Sequence, residues 1–311
     1  RNKIIKFEGH FHGVHDYLLY SMDTSLQLGK KLPSGAYESI PGSSGIPKFI
    51  EEGIITVPFN DISALSQVFE HHKSEIAGII MEPICLASAV IPPDIDFIKY
   101  VREVCNLNGS LLIFDEVMSG FRENIGGAQK TLGIMPDIAT YGKILGCGIS
   151  IAAIAGKSQY MNILTPVGQS EASGTNTGRL LTMLSSYYAL KHLKDHSEYY
   201  EKLHELSAQL NNGVTEILKT HMIKGIVQSY GGRTVIHLGC ENPIRNFREA
   251  VQTWYKNLHI KCYEETMPNG LYAFLLPLSV CPEPICVTPA HTVDDIDKTL
   301  NVFEHIIKKV K

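Results

Sequence analysis

Apolar positions fall into short continuous runs separated by amphipathic stretches, and the alternation starts with the first residues. Ile4, Ile5 and Phe7 read as a strand. The glycine- and proline-rich residues 32–48 form a loop, long enough inside a domain to serve as a binding surface. Asp61 can cap a helix that carries Ile62, Leu65, Val68 and Phe69 on one face. The apolar run 76–81 ends on Glu82 and Pro83. Asp94 can cap a second helix with Ile95, Ile98, Val101, Val104 and Cys105 on its face, stopped by Asn108 and Gly109. Residues 111–114 form a strand that drops onto Asp115 and Glu116, and 137–140 form another, followed by Tyr141, Gly142 and Lys143. Continuously apolar strands joined by one helix imply a right-handed crossover in a parallel sheet covered on both faces. Ligands of such sheets sit at the carboxyl ends of strands, so Glu82, Asp115 and Lys143 fall along one edge.

Beyond Lys143 the pattern loosens. Residues 149–155 are β-compatible and 170–178 are small and polar. Helical periodicity returns over 180–193, with Met183, Leu184, Tyr187 and Tyr188 expected on the buried side, and again over 199–218. Strands are expected near 234–238 and 271–275, with a helix around 247–255 between them. Thr292 and Asp295 stand in capping-box spacing before a last helix carrying Ile296, Leu300, Phe303, Ile306 and Ile307. The expected division is a large domain over 1–190, then a connecting helix and a small domain over 191–311, with a mixed sheet covered by helices on one side.

Composition narrows the function classes. A net charge of −4 without a lysine or arginine cluster argues against nucleic-acid binding. No apolar run approaches membrane-spanning length, so no membrane partner is expected. Seven cysteines without paired spacing suggest reduced thiols and a cytoplasmic setting. Because no leader or cap precedes the first strand, the chain is expected to be a piece of something longer.

The candidate chemistry lies along the strand ends. Between Ile138 and Gly156, Lys143 is the only charged side chain, and desolvation there makes an amine easier to deprotonate. His10, His12 and His15 have the chemistry of metal ligands, but neither a cysteine nor a carboxylate completes an obvious set, so no metal is expected. Each candidate also has a plain structural reading. Asp115 can cap a turn, Lys143 can snorkel, Thr175 can cap a helix, Phe11 and Val117 can be core, and Glu283 can be a loop acid.

The segments LLIFDEVMSGFR, GGAQ, GIMPDIATYGKILGCG and PAHTVDDIDKT resemble the class III aminotransferases that depend on pyridoxal 5′-phosphate. KFEGHFHGVHD and MEPICLASAVIPP are similar to the glutamate-1-semialdehyde aminomutase subgroup. The resemblance is dense from Lys6 to about Gly148 and resumes over the last thirty residues, with a poorly matching middle. It implies the α/β fold type I of pyridoxal-phosphate transferases: a mostly parallel sheet with helices on both faces plus a smaller C-terminal α+β domain.

The resemblance also implies roles. Lys143 would form the internal aldimine and shuttle the Cα proton, and Asp115 would keep the pyridine nitrogen protonated. Phe11 would stack on one ring face and Val117 on the other, with Glu82 near the site. Gly174 and Thr175 would reach a partner subunit's cofactor phosphate, which implies a homodimer with shared sites. Glu283 matches a carboxylate lining the substrate pocket. The substrates would be a small amino donor and a carbonyl acceptor.

The chain also departs from the pattern. Ala87 stands where an asparagine is usual, CGISIAAIAG replaces a glycine- and proline-containing run, and TNTGR replaces the usual helix start. The part that supplies a phosphate cup precedes Arg1 in the family. Three readings follow: an aminotransferase, an aminomutase forming 5-aminolevulinate from glutamate-1-semialdehyde, or a cofactor-binding module without turnover.

Overall fold

The computed structural model describes residues 1–23, 27–272 and 281–310. The first half builds one sheet. Strand β1 (Lys3–Phe7) leads through the loop and a 3-10 turn, Lys48–Gly53, into β2 (Ile54–Val57). Helix α1 (Ile62–His71) begins where Asp61 Oδ1 accepts the Ala64 N–H at 2.8 Å, as expected of a cap. It buries Leu65, Val68 and Phe69 but leaves Ile62 exposed. Strand β3 (Ile76–Met81), helix α2 (Ile95–Asn108) and strand β4 (Leu111–Asp115) follow. Gly109, with φ +58, ends α2 in the left-handed conformation that favours glycine.

Helix α3 (Gly127–Leu132) and strand β5 (Ile138–Tyr141) lead to β6 (Ala153–Gly156) and the single turn α4 (Ser158–Met161). The strand order is β2-β1-β3-β4-β5-β6, parallel except for β6, which runs antiparallel to β5. In register, Met81 faces Phe114 and Asp115 faces Thr140. The carboxyl ends of β3, β4 and β5 therefore lie side by side, and this positions the site.

Helices α5 (Leu180–Asp195) and α6 (Glu198–Thr220) lead to strands β7 (Gly225–Tyr230) and β8 (Arg233–Leu238). Helices α7 (Phe247–Thr253) and α8 (Lys256–Thr266), strand β9 (Ile285–Cys286) and helix α9 (Val293–Val310) complete the described chain. Thr292 and Asp295 exchange bonds at the start of α9, with Asp295 N donating to Thr292 Oγ1 at 3.2 Å and Thr292 N to Asp295 Oδ2 at 2.9 Å.

One apolar core joins Ile5, Phe7, Leu65, Ile79, Phe97 and Phe114, and α7 returns to it with Phe247 and Ala250. A second joins Leu206, Leu210 and Val214 of α6 to Ile296, Ile306 and Ile307 of α9. Each fully buried side chain of this size contributes about 1.5–3 kcal/mol against exposure. Residue 190, the expected division, falls inside α5.

Several expectations are corrected. Asp94 makes no side-chain cap to α2 and instead pairs with Arg245, while Phe97 rather than Ile95 faces the core. The face of α5 expected to be buried is exposed: Met183 is 51%, Tyr187 60% and Tyr188 63% accessible. Its periodicity is that of a packing helix, but within this chain α5 packs chiefly on the turn Lys143–Gly146, where Ser185 Oγ donates to Gly146 O at 2.8 Å. The described C-terminal sheet, β7-β8-β9, is wholly antiparallel rather than mixed. Past Tyr272, the strand expected over 271–275 lies outside the described residues.

Candidate active site

A cavity of about 990 Å³ opens at the carboxyl ends of β3, β4 and β5. Asp115, the last residue of β4, is 6% exposed and lines it. Its Oδ1 accepts the Val117 N–H and the Thr140 hydroxyl, both at 3.1 Å, and its Oδ2 lies 2.8 Å from His12 Nδ1. A carboxylate has about four acceptor positions. Three are filled, which leaves one for a donor in the cavity.

The His12 side chain is buried, and its pKa is lowered by that burial although Asp115 pulls the other way. A neutral imidazole donating Nδ1–H to Asp115 is the tautomer assigned by that partner. The other ring nitrogen, Nε2, is buried without a partner.

Lys143 follows β5 and lines the same cavity, with its amine beside Met118 Sδ. Its φ of +49 is left-handed, a conformation that costs a side chain about 1 kcal/mol or more and persists where surrounding structure enforces it. Burial lowers its pKa, and the charge of Arg233 lowers it further against the opposing pull of Glu82. The amine is therefore more easily deprotonated than an exposed lysine.

Glu82 is held as tightly as Asp115. Its Oε1 accepts the Phe11 N–H at 3.0 Å, and its Oε2 accepts the N–H groups of Leu86 and Ala87 at 2.9 Å. Burial and the Asp115 charge push its carboxyl up to about 8, while these three donors favour the anion. Through Glu82 the loop carrying Phe11 is fastened to the end of β3. From the other side Lys6, fully buried, donates to His10 O at 3.1 Å and to Tyr20 O.

Phe11, Val117 and Glu283 line the cavity as well, so six of the eight expected site residues converge there: Lys143, Asp115, Glu82, Phe11, Val117 and Glu283. Gly174 and Thr175 are not among the described lining residues. They are exposed between α4 and α5, where Thr177 N donates to Gly174 O at 2.9 Å.

Of the three histidines, only His10 joins a group with metal-ligand spacing among the described residues, with Glu82 and Cys85. Most ligand atoms of that group are engaged elsewhere, His10 Nε2 being buried without a partner. His10 Nδ1 accepts the Glu82 N–H at 3.0 Å, the Glu82 oxygens hold three backbone donors, and Lys6 places a positive charge beside them.

Sequence reasoning missed two cavity residues. In the sequence His12 reads only as a metal ligand, and Arg233, at the start of β8, belongs to no motif. Arg233 does carry the signal that marked Lys143, a lone charge opening the apolar run TVIHL.

The residues present fit a pyridoxal-type cofactor: an acceptor for a ring N–H, an amine on the same cavity, and an aromatic and an aliphatic wall. The family "Aminotransferase class-III" matches the chain over residues 1–307. Glutamate-1-semialdehyde 2,1-aminomutase 1 of Staphylococcus epidermidis is 36% identical over 310 residues, covering 100% of this chain and 69% of that protein. The aminomutase of Methanosphaera stadtmanae is also 36% identical with the same coverage. Among solved structures, an omega-transaminase from Sphaerobacter thermophilus superposes with a TM-score of 0.89 at 27% identity, over 100% of this chain and 69% of that one.

Proposed function

Because this chain belongs to the class III aminotransferases, enzymes dependent on pyridoxal phosphate, we propose that its cavity moves an amino group from a small amino donor to a carbonyl acceptor. The observation that carries this reading is the convergence of Asp115 and Lys143 on one cavity. When bound, the cofactor supplies an electron sink that makes a substrate Cα–H acidic.

The chain's own residues then have distinct tasks. Asp115, oriented by His12 and Thr140, would offer its remaining acceptor position to the ring N–H and keep that proton in place. Phe11 and Val117 would wall the ring on its two faces. Lys143 would hold the cofactor through its amine and, when free, would take a proton from the substrate Cα and return one. Glu82 fastens the loop that carries Phe11.

A second reading, transfer within one molecule, is favoured by the aminomutases at 36% identity and by Glu283 on the cavity wall. One incubation with glutamate-1-semialdehyde separates the two. Formation of 5-aminolevulinate without added donor or acceptor sinks the plain aminotransferase reading, and absence of steady turnover with any donor and acceptor pair sinks both. Lys143→Ala is expected to abolish the visible absorption of the covalently held cofactor; an unchanged band refutes the role given to Lys143.

We also read the protein as a homodimer with Gly174 and Thr175 reaching the partner's site. The exposed segment that holds them and the uncovered apolar face of α5 support this. Seven cysteines without a disulfide among them favour a cytoplasmic setting, and no described helix is long and apolar enough to cross a membrane. Secretion of the protein from its own cell would refute that setting.

A further inference from the structure

Amine transfer gives no task to the histidines at the end of α5. His192 and His196 stand one helical turn apart, the spacing that places two imidazoles on one helix face, and their ring centroids lie 4.4 Å apart. Ser185, which bonds the turn Lys143–Gly146, lies about two and three turns earlier on the same side of the helix. The pair therefore borders a surface cleft of about 500 Å³ beside that turn, lined also by Cys147, Ser185 and Asp195.

The surroundings prepare the pair for a cation. His196 Nδ1 lies 2.7 Å from Glu198 Oε1. An ionised carboxylate only accepts, so this partner assigns the proton of a neutral ring to Nδ1 and leaves the Nε2 lone pair open, the arrangement by which an outer carboxylate orients a metal-bound imidazole. Tyr199 packs against both rings, with centroids 5.2 Å from His192 and 5.8 Å from His196, and restricts their swing. His196 ends α5, where the last carbonyls form the negative end of the helix and favour positive charge. Lys191, on the same cleft, is neutralised by Asp195.

We propose that His192 and His196 bind a divalent transition-metal ion of the zinc class, with the remaining coordination positions left to water. Imidazole suits zinc, copper and nickel, whereas magnesium and calcium take oxygen ligands. Among the described residues no third histidine, cysteine or carboxylate joins the pair at ligand spacing, so the ion is exchangeable rather than structural. Bound there, it ties together the last turns of a helix whose earlier turn docks on the segment of Lys143. The cleft and the strand-end cavity share no described lining residue, and the assignment does not depend on the amine-transfer reading.

Isothermal titration of the whole chain with Zn²⁺ as the sole added ligand tests the site. The wild type is expected to bind an ion that the variant carrying both His192→Ala and His196→Ala loses. Glu198→Gln removes the orienting carboxylate but no ligand, and is expected to weaken binding roughly 10-fold. Each single histidine variant is expected to weaken it more. Mg²⁺ is expected to bind at neither imidazole. The substituted side chains are exposed or half-buried, so with a chelator present each variant is expected to unfold as the wild type does. Undiminished Zn²⁺ binding by the double variant, or equal affinity for Mg²⁺, overturns the proposal. Loss of binding in Cys147→Ser, which keeps both imidazoles, moves the ion to the exposed thiol and overturns it as well.

Discussion

Glu82 and Lys6 make the loop bearing Phe11 sensitive to pH. In the folded chain the Glu82 carboxyl is pushed up to about 8 from 4.5 by burial and by Asp115, so the folded state binds this proton more tightly than the unfolded chain. Its stabilising contribution is full below pH 4.5 and is lost as pH rises through about 8. Burial brings Lys6 down to about 8 from 10.5, so the cost of its buried ammonium is relieved as pH rises from about 8 to 10.5. Together they place a stability minimum near pH 8. Glu82→Gln is expected to flatten the fall between pH 5 and 8 by about 1–3 kcal/mol in urea unfolding. Equal slopes in wild type and variant would mean that the three N–H donors keep Glu82 ionised throughout. Asp115 was legible from sequence because it closes an apolar run, and Lys143 because it is the lone charge between Ile138 and Gly156, both local signals. The bond of His12 to Asp115 was not, since it joins positions 103 residues apart that only the folded sheet brings together.

The start of α3 shows an element fixed by one side chain. Glu116 accepts the Ala128 N–H at 2.8 Å, the Gln129 N–H at 3.0 Å, Gln129 Nε2 at 3.1 Å and the Ser119 hydroxyl at 3.0 Å, meeting the free donors of the first turn. Gly127 stands at φ +64, where a Cβ would lie 2.4 Å from Glu116 Oε2. Gly127→Ala is therefore expected to cost about 2–4 kcal/mol. Gly133→Ala, at φ +65 with nothing within 4 Å, is expected to cost only about 1 kcal/mol of backbone strain. Chemical denaturation of both variants checks this, and equal losses would assign the whole effect to the backbone. The GGAQ motif is thus readable as local mechanics, whereas the idle cap at Asp94 is not, because Arg245, distant in sequence, pairs with its carboxylate.

Across the whole molecule, α5 presents Leu180, Leu181, Tyr187 and Tyr188 on an uncovered face, each at least 60% accessible. Contiguous apolar surface of this kind marks an interaction site, and the homodimer reading places a second copy there. Sedimentation is expected to show a dimer that Leu181→Asp converts to monomer; a wild-type monomer at tens of micromolar would reject the assignment. The hydrophobic pattern of α5 was legible, but what it packs against was not, because periodicity specifies a face without naming its partner. The order of strands β1 to β5 was hidden for a related reason, since β1 sits between β2 and β3 and no local signal encodes neighbours. The return of α7 to the first core was hidden likewise.

The left-handed backbone of Lys143 sets usefulness against durability at one position. Glycine would occupy that conformation without penalty, so Lys143→Gly, which removes the amine, is expected to unfold at higher temperature than the wild type by relieving about 1 kcal/mol of strain. Selection for stability alone would erode the lysine. Its presence in so unfavourable a backbone is the mark of a residue kept for what it does, and lineages released from the chemistry would be expected to lose it early.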